Sequence, residues 1–384
     1  MTASPIFSDV DLIPFFWLAR VPVYCNVLWP TREHALEAPR GDIELGYCPL
    51  SGLVWNSAFD EELVRYSPDY ETSLHFSDTF LDYARTLVQR LVEKHALTEK
   101  TVIEVGSGKG EFLAMLCEAG QNTGIGFDES FVGDPASTAT TIVKERFSAD
   151  DRSQHADLIV SQHVLEHVSA PRDFLGQIHD AALPGATPLY FEVPNGLWTL
   201  RDLGVWDVIY EHVAYYTPAS LTRLFVACGF KVDAVWTAYD EQFLCIDARP
   251  TAVPEPPDVA DEAVREVAAL CEVFGERFAE RQRVWGERLA DWREQGHKVA
   301  IWGAGSKGVT FLNVVQGGSE IACVIDKNPR KQGRFVPGTG QEVTGPEGAL
   351  PVRPDRIVVM NPIYSAEIEA ECAQLGLEAE IVAV

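Results

Sequence analysis

At 384 residues the chain exceeds the size at which a single hydrophobic core keeps growing, so more than one domain is expected. Hydrophobic residues at 46% and charged residues at 23% exclude a disordered or fibrous protein, and no apolar run reaches the ~18–20 residues that a membrane span needs. A formal net charge of −26 works against nucleic acid and anionic membranes as partners, which leaves small molecules. The start MTASPIFSDV lacks the basic region and apolar run of a signal peptide, so the chain reads as cytoplasmic. The eight cysteines (25, 48, 117, 228, 245, 271, 323 and 372) contain no C-x-x-C pair and read as reduced, mostly buried thiols. Nothing in the sequence fixes an oligomeric state.

In chain order, residues 1–68 read as a small N-terminal module with short strand-like pieces, DIELGYC and SGLVWN. A helix is expected from Asp69 to Leu97, where Phe80, Leu81, Ala84, Leu87, Val88 and Leu91 recur at helical spacing. TVIEVGSGKGEFLAMLCEAG then reads as a buried strand, a Gly-rich turn and an amphipathic helix, with TGIGFD as the next strand. DLIVSQ (157–162), a helix from about Ala170, TPLYFEV (187–193) and SLTRLFVACGFKVDAVW (220–236) continue the alternation and predict one parallel-sheet domain over 69–250. Residues 251–297 read as a Pro- and acid-rich linker and a long helix from about Val259 to Gln295. Over 298–384 the alternation restarts with KVAIWGAGSKGVTFLNVV, EIACVIDKNP, RIVVMNP and AEIVAV. The fold class is α/β: a Rossmann-like domain, a second Rossmann-like C-terminal domain and the small N-terminal module.

Two glycine motifs carry the chemistry. In VIEVGSGKGEF, Glu104 lies in the strand, Gly106, Ser107, Gly108 and Gly110 form the turn, and Phe112 enters the helix. Such glycines let the backbone approach a ligand at the carboxyl edge of the sheet. Asp128, 22 residues after Gly106, is placed to accept hydrogen bonds from two ribose hydroxyls, which suits several nucleotide ligands. The second motif, IWGAGSKG (301–308), is a G-x-G-x-x-G after a strand, and the following strand ends in Asp326, so taken alone it reads as an NAD site.

The turn EVGSGKGEFL resembles motif I of class I methyltransferases, and DLIVSQHVLEHVSAPRDFL (157–175) resembles that family's fourth strand and following loop. The resemblance implies S-adenosyl-L-methionine as cofactor, with Glu104, Gly106, Ser107, Gly108, Gly110, Phe112, Asp128 and His163 around it. From about Tyr70 onward, YETSLHFS, EVPN (192–195), YEHVAYY (210–216), IWGAGSKGVTFLN and VIDKNPRKQGRFVPGTG are similar to the three-domain sugar C-methyltransferases. Their C-terminal Rossmann-like domain helps form the substrate cleft and performs no hydride transfer. This implies a methyltransferase of sugar or natural-product biosynthesis, acting on a nucleotide-linked sugar or a similar small polar metabolite.

The chain departs from that pattern at several points. The family's N-terminal zinc module has two C-x-x-C pairs, whereas here the positions read Cys25-x-x-Leu28 and Cys48-x-x-Ser51, with His34 as a third potential ligand; no metal is expected. The family's Tyr-His-Glu-His reads Ile209-Tyr210-Glu211-His212, and Phe76 stands where a tyrosine is expected. An O- or N-methyltransferase tailoring a natural product therefore stays open beside the first reading.

Methyl transfer from a sulfonium calls for an aligned nucleophile and a base. His212 with Glu211 beside it is the first candidate, and His167, one turn after His163, is the second; Tyr210 is a candidate catalytic hydroxyl. Tyr215, Tyr216, Glu241 and Gln242 are candidate substrate contacts, and Lys307, Lys331 and Arg334 candidate phosphate contacts.

Overall fold

A computed structural model describes residues 2–384 apart from 65–69, 72, 149–155, 184–185, 203 and 253–259. The expected helix start at Asp69 and the linker at 253–259 lie outside them. The N-terminal module is an antiparallel meander of β1 (Ile13–Pro22), β2 (Arg40–Tyr47) and β3 (Val54–Asn56), with the one-turn helix α1 (Arg32–Leu36) between the first two. Cys25 and Cys48 are buried in different hydrophobic clusters.

The first long helix, α2 (Asp78–His95), begins later than its sequence pattern suggested. Ser77 caps it by accepting from the Phe80 N–H, while upstream Tyr70 bridges to Val27 and the Glu71 N–H donates to the Asn26 carbonyl. Tyr70 and Glu71 are thus committed to the N-terminal module and are not available for helix. Phe80, Ala84, Leu87, Val88 and Leu91 do form the buried stripe.

Next come β4 (Thr101–Val105), α3 (Glu111–Gly120), β5 (Thr123–Phe127), β6 (Thr140–Val143), β7 (Leu158–Gln162), α4 (Pro171–Ala181), β8 (Leu189–Pro194), α5 (Gly196–Arg201), β9 (Ala214–Tyr215), α6 (Pro218–Ala227), β10 (Phe230–Ala238) and β11 (Phe243–Pro250). Seven of these strands form one sheet in the order β10-β11-β8-β7-β4-β5-β6. The strands from β8 to β6 are parallel, and the order reverses at β4, which opens a ligand crevice at their carboxyl ends. The expectation of a wholly parallel sheet needs correction: β11 runs antiparallel to both β8 and β10. Only the tight turn 239–242 joins β10 to β11, and so short a connection permits antiparallel neighbours alone. β9 leaves this sheet and pairs with β3, Val54 opposite Tyr215 and Trp55 opposite Ala214, so the N-terminal meander is fastened to the loop that carries His212.

The helix α7 (Asp261–Glu294) is 34 residues long. It lays Phe274 and Phe278 on Phe16 of β1, and its Trp285 meets Phe311, so it splints the first module to the last. That last domain consists of β12 (Val299–Trp302), α8 (Ser306–Val314), β13 (Cys323–Ile325), β14 (Val343–Thr344), β15 (Arg356–Val359), α9 (Ser365–Leu375) and β16 (Glu380–Ala383), with an all-parallel sheet in the order β14-β13-β12-β15-β16. Among the described residues no helix is long and apolar enough to cross a membrane.

Candidate active site

The carboxyl ends of the parallel strands of both sheets open onto one cavity of about 1050 Å³. Its walls are the turn after β4, the loop after β7, Asp207 and His212, and the turn after β12.

The first turn fits an amino-acid nucleoside. A Cβ on Gly106 would lie 2.1 Å from Val164, so only glycine lets the turn pass under the loop after β7; at Gly108 nothing lies within 4 Å, which leaves the backbone open to a ligand. Two buried polar atoms here lack a hydrogen-bond partner, Glu104 Oε2 and Ser107 Oγ. They match an ammonium and a carboxylate of an amino-acid moiety in the crevice. Burial, then the charge of Asp128, pushes the Glu104 carboxyl up to about 8. Asp128 accepts from the Gly108 N–H (2.8 Å) and from the N–H and hydroxyl of Ser130, and its carboxylate still has capacity for ribose hydroxyls. Phe112 and His163 line the same space, whereas Gly110 caps α3 with a left-handed backbone and does not reach the cavity.

A histidine cluster forms the floor. His163 has φ 54°, a left-handed conformation that costs energy for a non-glycine residue. Its Nε2 lies 3.2 Å from Glu192 Oε1 and its Nδ1 3.5 Å from Glu166 Oε1. Burial disfavours the imidazolium, but these two carboxylates outweigh it and lift the group to about 10. Glu192 is itself held ionised against its burial, by His163 and by the Tyr83 and Tyr190 hydroxyls. His167 donates from Nδ1 to the Glu211 carbonyl at 2.9 Å, and its ring meets that of His212 at 5.1 Å. Burial, followed by the neighbouring imidazoles and Lys307, pulls His212 well below its ordinary range, so it stands neutral.

Several expected residues point elsewhere. The Tyr210 hydroxyl accepts from the Asp60 N–H, behind the cavity wall. Glu211 is fully buried, its carboxylate accepting from the Cys25 N–H at 2.8 Å; burial pushes it up to about 7. Tyr215 is closed on the backbone of Ile209, and Tyr216 is completely buried in the core beneath. None of these four lines the cavity. The turn 239–241 has positive φ at Tyr239, Asp240 and Glu241; it turns Glu241 outward onto Arg201 and Gln242 inward, where it exchanges hydrogen bonds with Asn361.

In the second turn a Cβ on Gly308 would sit 1.9 Å from the Gly303 carbonyl, the tight helix–strand contact of the G-x-G-x-x-G pattern. Asp326 accepts from the Ala304 and Asn328 N–H groups, but Lys331 lies 3.5 Å from it. The buried Lys331 ammonium also donates to the Ala304 carbonyl. Lys307 reaches back to Asp207 at 2.7 Å, and Arg334 does not line the cavity.

Three residues that the sequence did not flag are Asp207, Asn361 and Glu71. Glu71 receives Lys109 of the first turn (2.5 Å), Asn328 (3.1 Å) and Arg330 (3.4 Å) of the second domain. All three come from segments far from either glycine motif; the acid-to-base complementarity between YET and DKNPRK was the available signal.

The profile of a methyltransferase domain matches residues 76–235, and that of a C-methyltransferase C-terminal domain matches 259–380. The C-methyltransferase NovU of Streptomyces niveus is 27% identical over 314 residues, covering 76% of this chain and 73% of that protein. Among solved structures, magnesium protoporphyrin IX methyltransferase from Synechocystis PCC 6803 is similar at 17% identity with a TM-score of 0.36, over 47% of this chain and 89% of that one. The 1,6-didemethyltoxoflavin-N1-methyltransferase of Burkholderia thailandensis is similar at 16% identity with a TM-score of 0.34, over 45% and 81%. The methyltransferase profile spans the turn whose unpaired polar atoms suit the donor, and with the C-methyltransferase C-terminal profile and the likeness to NovU beside it, the chain is an S-adenosylmethionine-dependent methyltransferase.

Proposed function

We propose that the protein methylates a carbon of a nucleotide-linked sugar or a similar small polar metabolite, held between a donor domain at 69–250 and an acceptor domain at 298–384. The observation that carries this reading is the single cavity reaching from Asp128, past His212, to Asn328 and Lys331. Such a space suits an acceptor with a reactive end at the histidines and a polar tail at the second turn. The relationship to NovU and the C-methyltransferase C-terminal profile favour carbon as the receiving atom.

When bound, S-adenosylmethionine supplies an electrophilic methyl whose bonding pair stays on sulfur as the methyl leaves. Glu104 and Ser107 would hold its amino-acid half and Asp128 its ribose. His212, neutral and facing the cavity, takes the acceptor's proton, and the electron pair so freed forms the new bond to the methyl. His167, tied to the Glu211 carbonyl, is the second candidate for that role. Glu211 positions the pair by gripping the N-terminal module, and Gln242 and Lys307 contact the acceptor. The cytoplasm remains the proposed location.

One observation favours a second reading, O- or N-methylation. The two hydroxyls that the resemblance sets near a carbon acceptor are not at the cavity, since Tyr210 is turned to Asp60 and position 76 is Phe. Conversion of a panel of nucleotide-sugar and phenolic or amine acceptors, with NMR location of the new methyl, separates the two. Parallel titrations with S-adenosylhomocysteine and NADH check the common premise: tight binding of the first and none of the second is expected, and the reverse result overturns the methyltransferase assignment of the cavity.

A further inference from the structure

The loop after β7 is wedged between the first glycine turn and the segment that carries His212. A Cβ on Gly106 would meet Val164 of that loop at 2.1 Å, and two residues on, the Glu166 carbonyl accepts from the N–H of Val213, the neighbour of His212. Glu166 lines the cavity here, is 1% exposed, and its Oε2 has no hydrogen-bond partner. A buried carboxylate oxygen left bare costs free energy until a ligand answers it. We propose that Glu166 is the counter-charge for the sulfonium of the donor, so that the protein tells S-adenosylmethionine from S-adenosylhomocysteine by charge.

The charges around Glu166 leave room for a cation. Its Oε1 lies 3.5 Å from His163 Nδ1, and Glu192 Oε1 lies 3.2 Å from His163 Nε2, so two carboxylates share one imidazolium and one negative charge is left over. His167, whose Nε2 is 3.9 Å from Glu166 Oε1, does not offset it, because burial pulls that imidazole below its ordinary range. His212 is neutral for the same reason, and Lys307 and Asp207 cancel each other at 2.7 Å.

A carboxylate at this place also suits the course of the reaction, an assignment that rests on the methyl-transfer reading above. The acceptor's C–H pair becomes the new C–C bond, the proton goes to His212, and the old S–C pair stays on sulfur, so one positive charge passes from sulfur to imidazole. An oxygen of Glu166 and a ring nitrogen of His212 lie within 4.8 Å of each other, which keeps the same carboxylate beside the charge at the end of its path. Holding the sulfonium alone would favour the ground state; a partner that stays with the charge as it moves does not raise the barrier. Once the methyl has gone, the donor site holds a neutral thioether that the carboxylate does not attract, and the product leaves more readily. Glu104 and Asp128 face groups that both molecules share and do not discriminate between them.

The test is calorimetric and needs no acceptor. The full-length protein and its variants E166Q, E166M and E166D are titrated with S-adenosylmethionine, with S-adenosylhomocysteine and with sinefungin, which carries an ammonium in place of the methylsulfonium. E166Q and E166M are expected to weaken both cations at least about tenfold, the worth of one opposite charge at close range, and S-adenosylhomocysteine by less than about twofold, which certifies their fold. E166D keeps the charge and the preference, and E241Q, which removes a carboxylate turned outward onto Arg201, changes none of the three affinities. Equal weakening of all three ligands, a loss for one cation only, unchanged affinities, or loss of S-adenosylhomocysteine binding in both charge-free variants would overturn the proposal. Failure of the parent protein to bind any of the three defeats the methyl-transfer reading itself, whereas binding of all three without the cation-selective loss defeats this assignment alone.

Discussion

The two glycine turns of this chain are written almost alike, and the molecule treats them differently. Each follows a buried strand, opens a helix and is answered about twenty residues later by an aspartate whose carboxylate accepts from the backbone of its own turn, Asp128 from Gly108 and Asp326 from Ala304. At the first turn the aspartate keeps only the small Ser130 beside it, and Glu104 Oε2 and Ser107 Oγ wait unpaired. At the second, the buried ammonium of Lys331 lies against both the aspartate and the turn carbonyl, filling the place where a ribose hydroxyl would bind. Glycine spacing sets how closely a backbone approaches; the side chains that lean over it set what approaches.

That contrast can be broken most forcefully at the wall between the turns. His212→Ala is expected to cut turnover about 10²- to 10⁴-fold while leaving S-adenosylhomocysteine affinity within about twofold, as measured by single-turnover kinetics and calorimetry. A comparable loss of donor affinity would place the histidine in the donor half instead. Next in size, Asp128→Ala should weaken S-adenosylhomocysteine about 10- to 100-fold, the worth of hydrogen bonds to a charged group, while Asp326→Ala changes it by less than about twofold. Equal effects would mean that the two turns share the donor.

The smallest expected effect is a pH dependence confined to the first turn. Burial keeps Glu104 protonated below about 8, and a donor ammonium favours the carboxylate, so binding must expel that proton. Affinity therefore rises with pH up to about 8, by at most about tenfold per unit, and levels off above. Calorimetry in buffers of differing ionisation enthalpy should register proton release at pH 7 in the parent protein and none in Glu104→Gln. A flat profile in both would remove Glu104 from the donor site.

Much of this was legible in the sequence because it is local. The strand–turn–helix around Gly106 and the stripe from Phe80 to Leu91 follow from spacing, and so does the second turn at Gly303. What the sequence hid was decided at long range. Tyr215 and Tyr216 read as a pocket wall, yet β9 pairs with β3 and turns them into core. Tyr210 read as a catalytic hydroxyl, yet it is spent on the Asp60 backbone 150 residues away. The antiparallel edge strands depend on how many residues separate β10 from β11, which a period-two pattern does not reveal. Glu166 lay in plain sight beside His167, but its orphaned oxygen becomes visible only once the loop carrying His212 is folded over it.

Glu71, ahead of α2, gives the enzyme a shared hinge-pin. Its carboxylate is bonded at once to Lys109 of the first turn and to Asn328 and Arg330 of the C-terminal domain, and Ser77 meets Glu367 of α9. Neither nucleotide-fold half can swing away from the other without parting that carboxylate from its partners on one side. The two sides of the one cavity are in this way moored to a common acidic side chain.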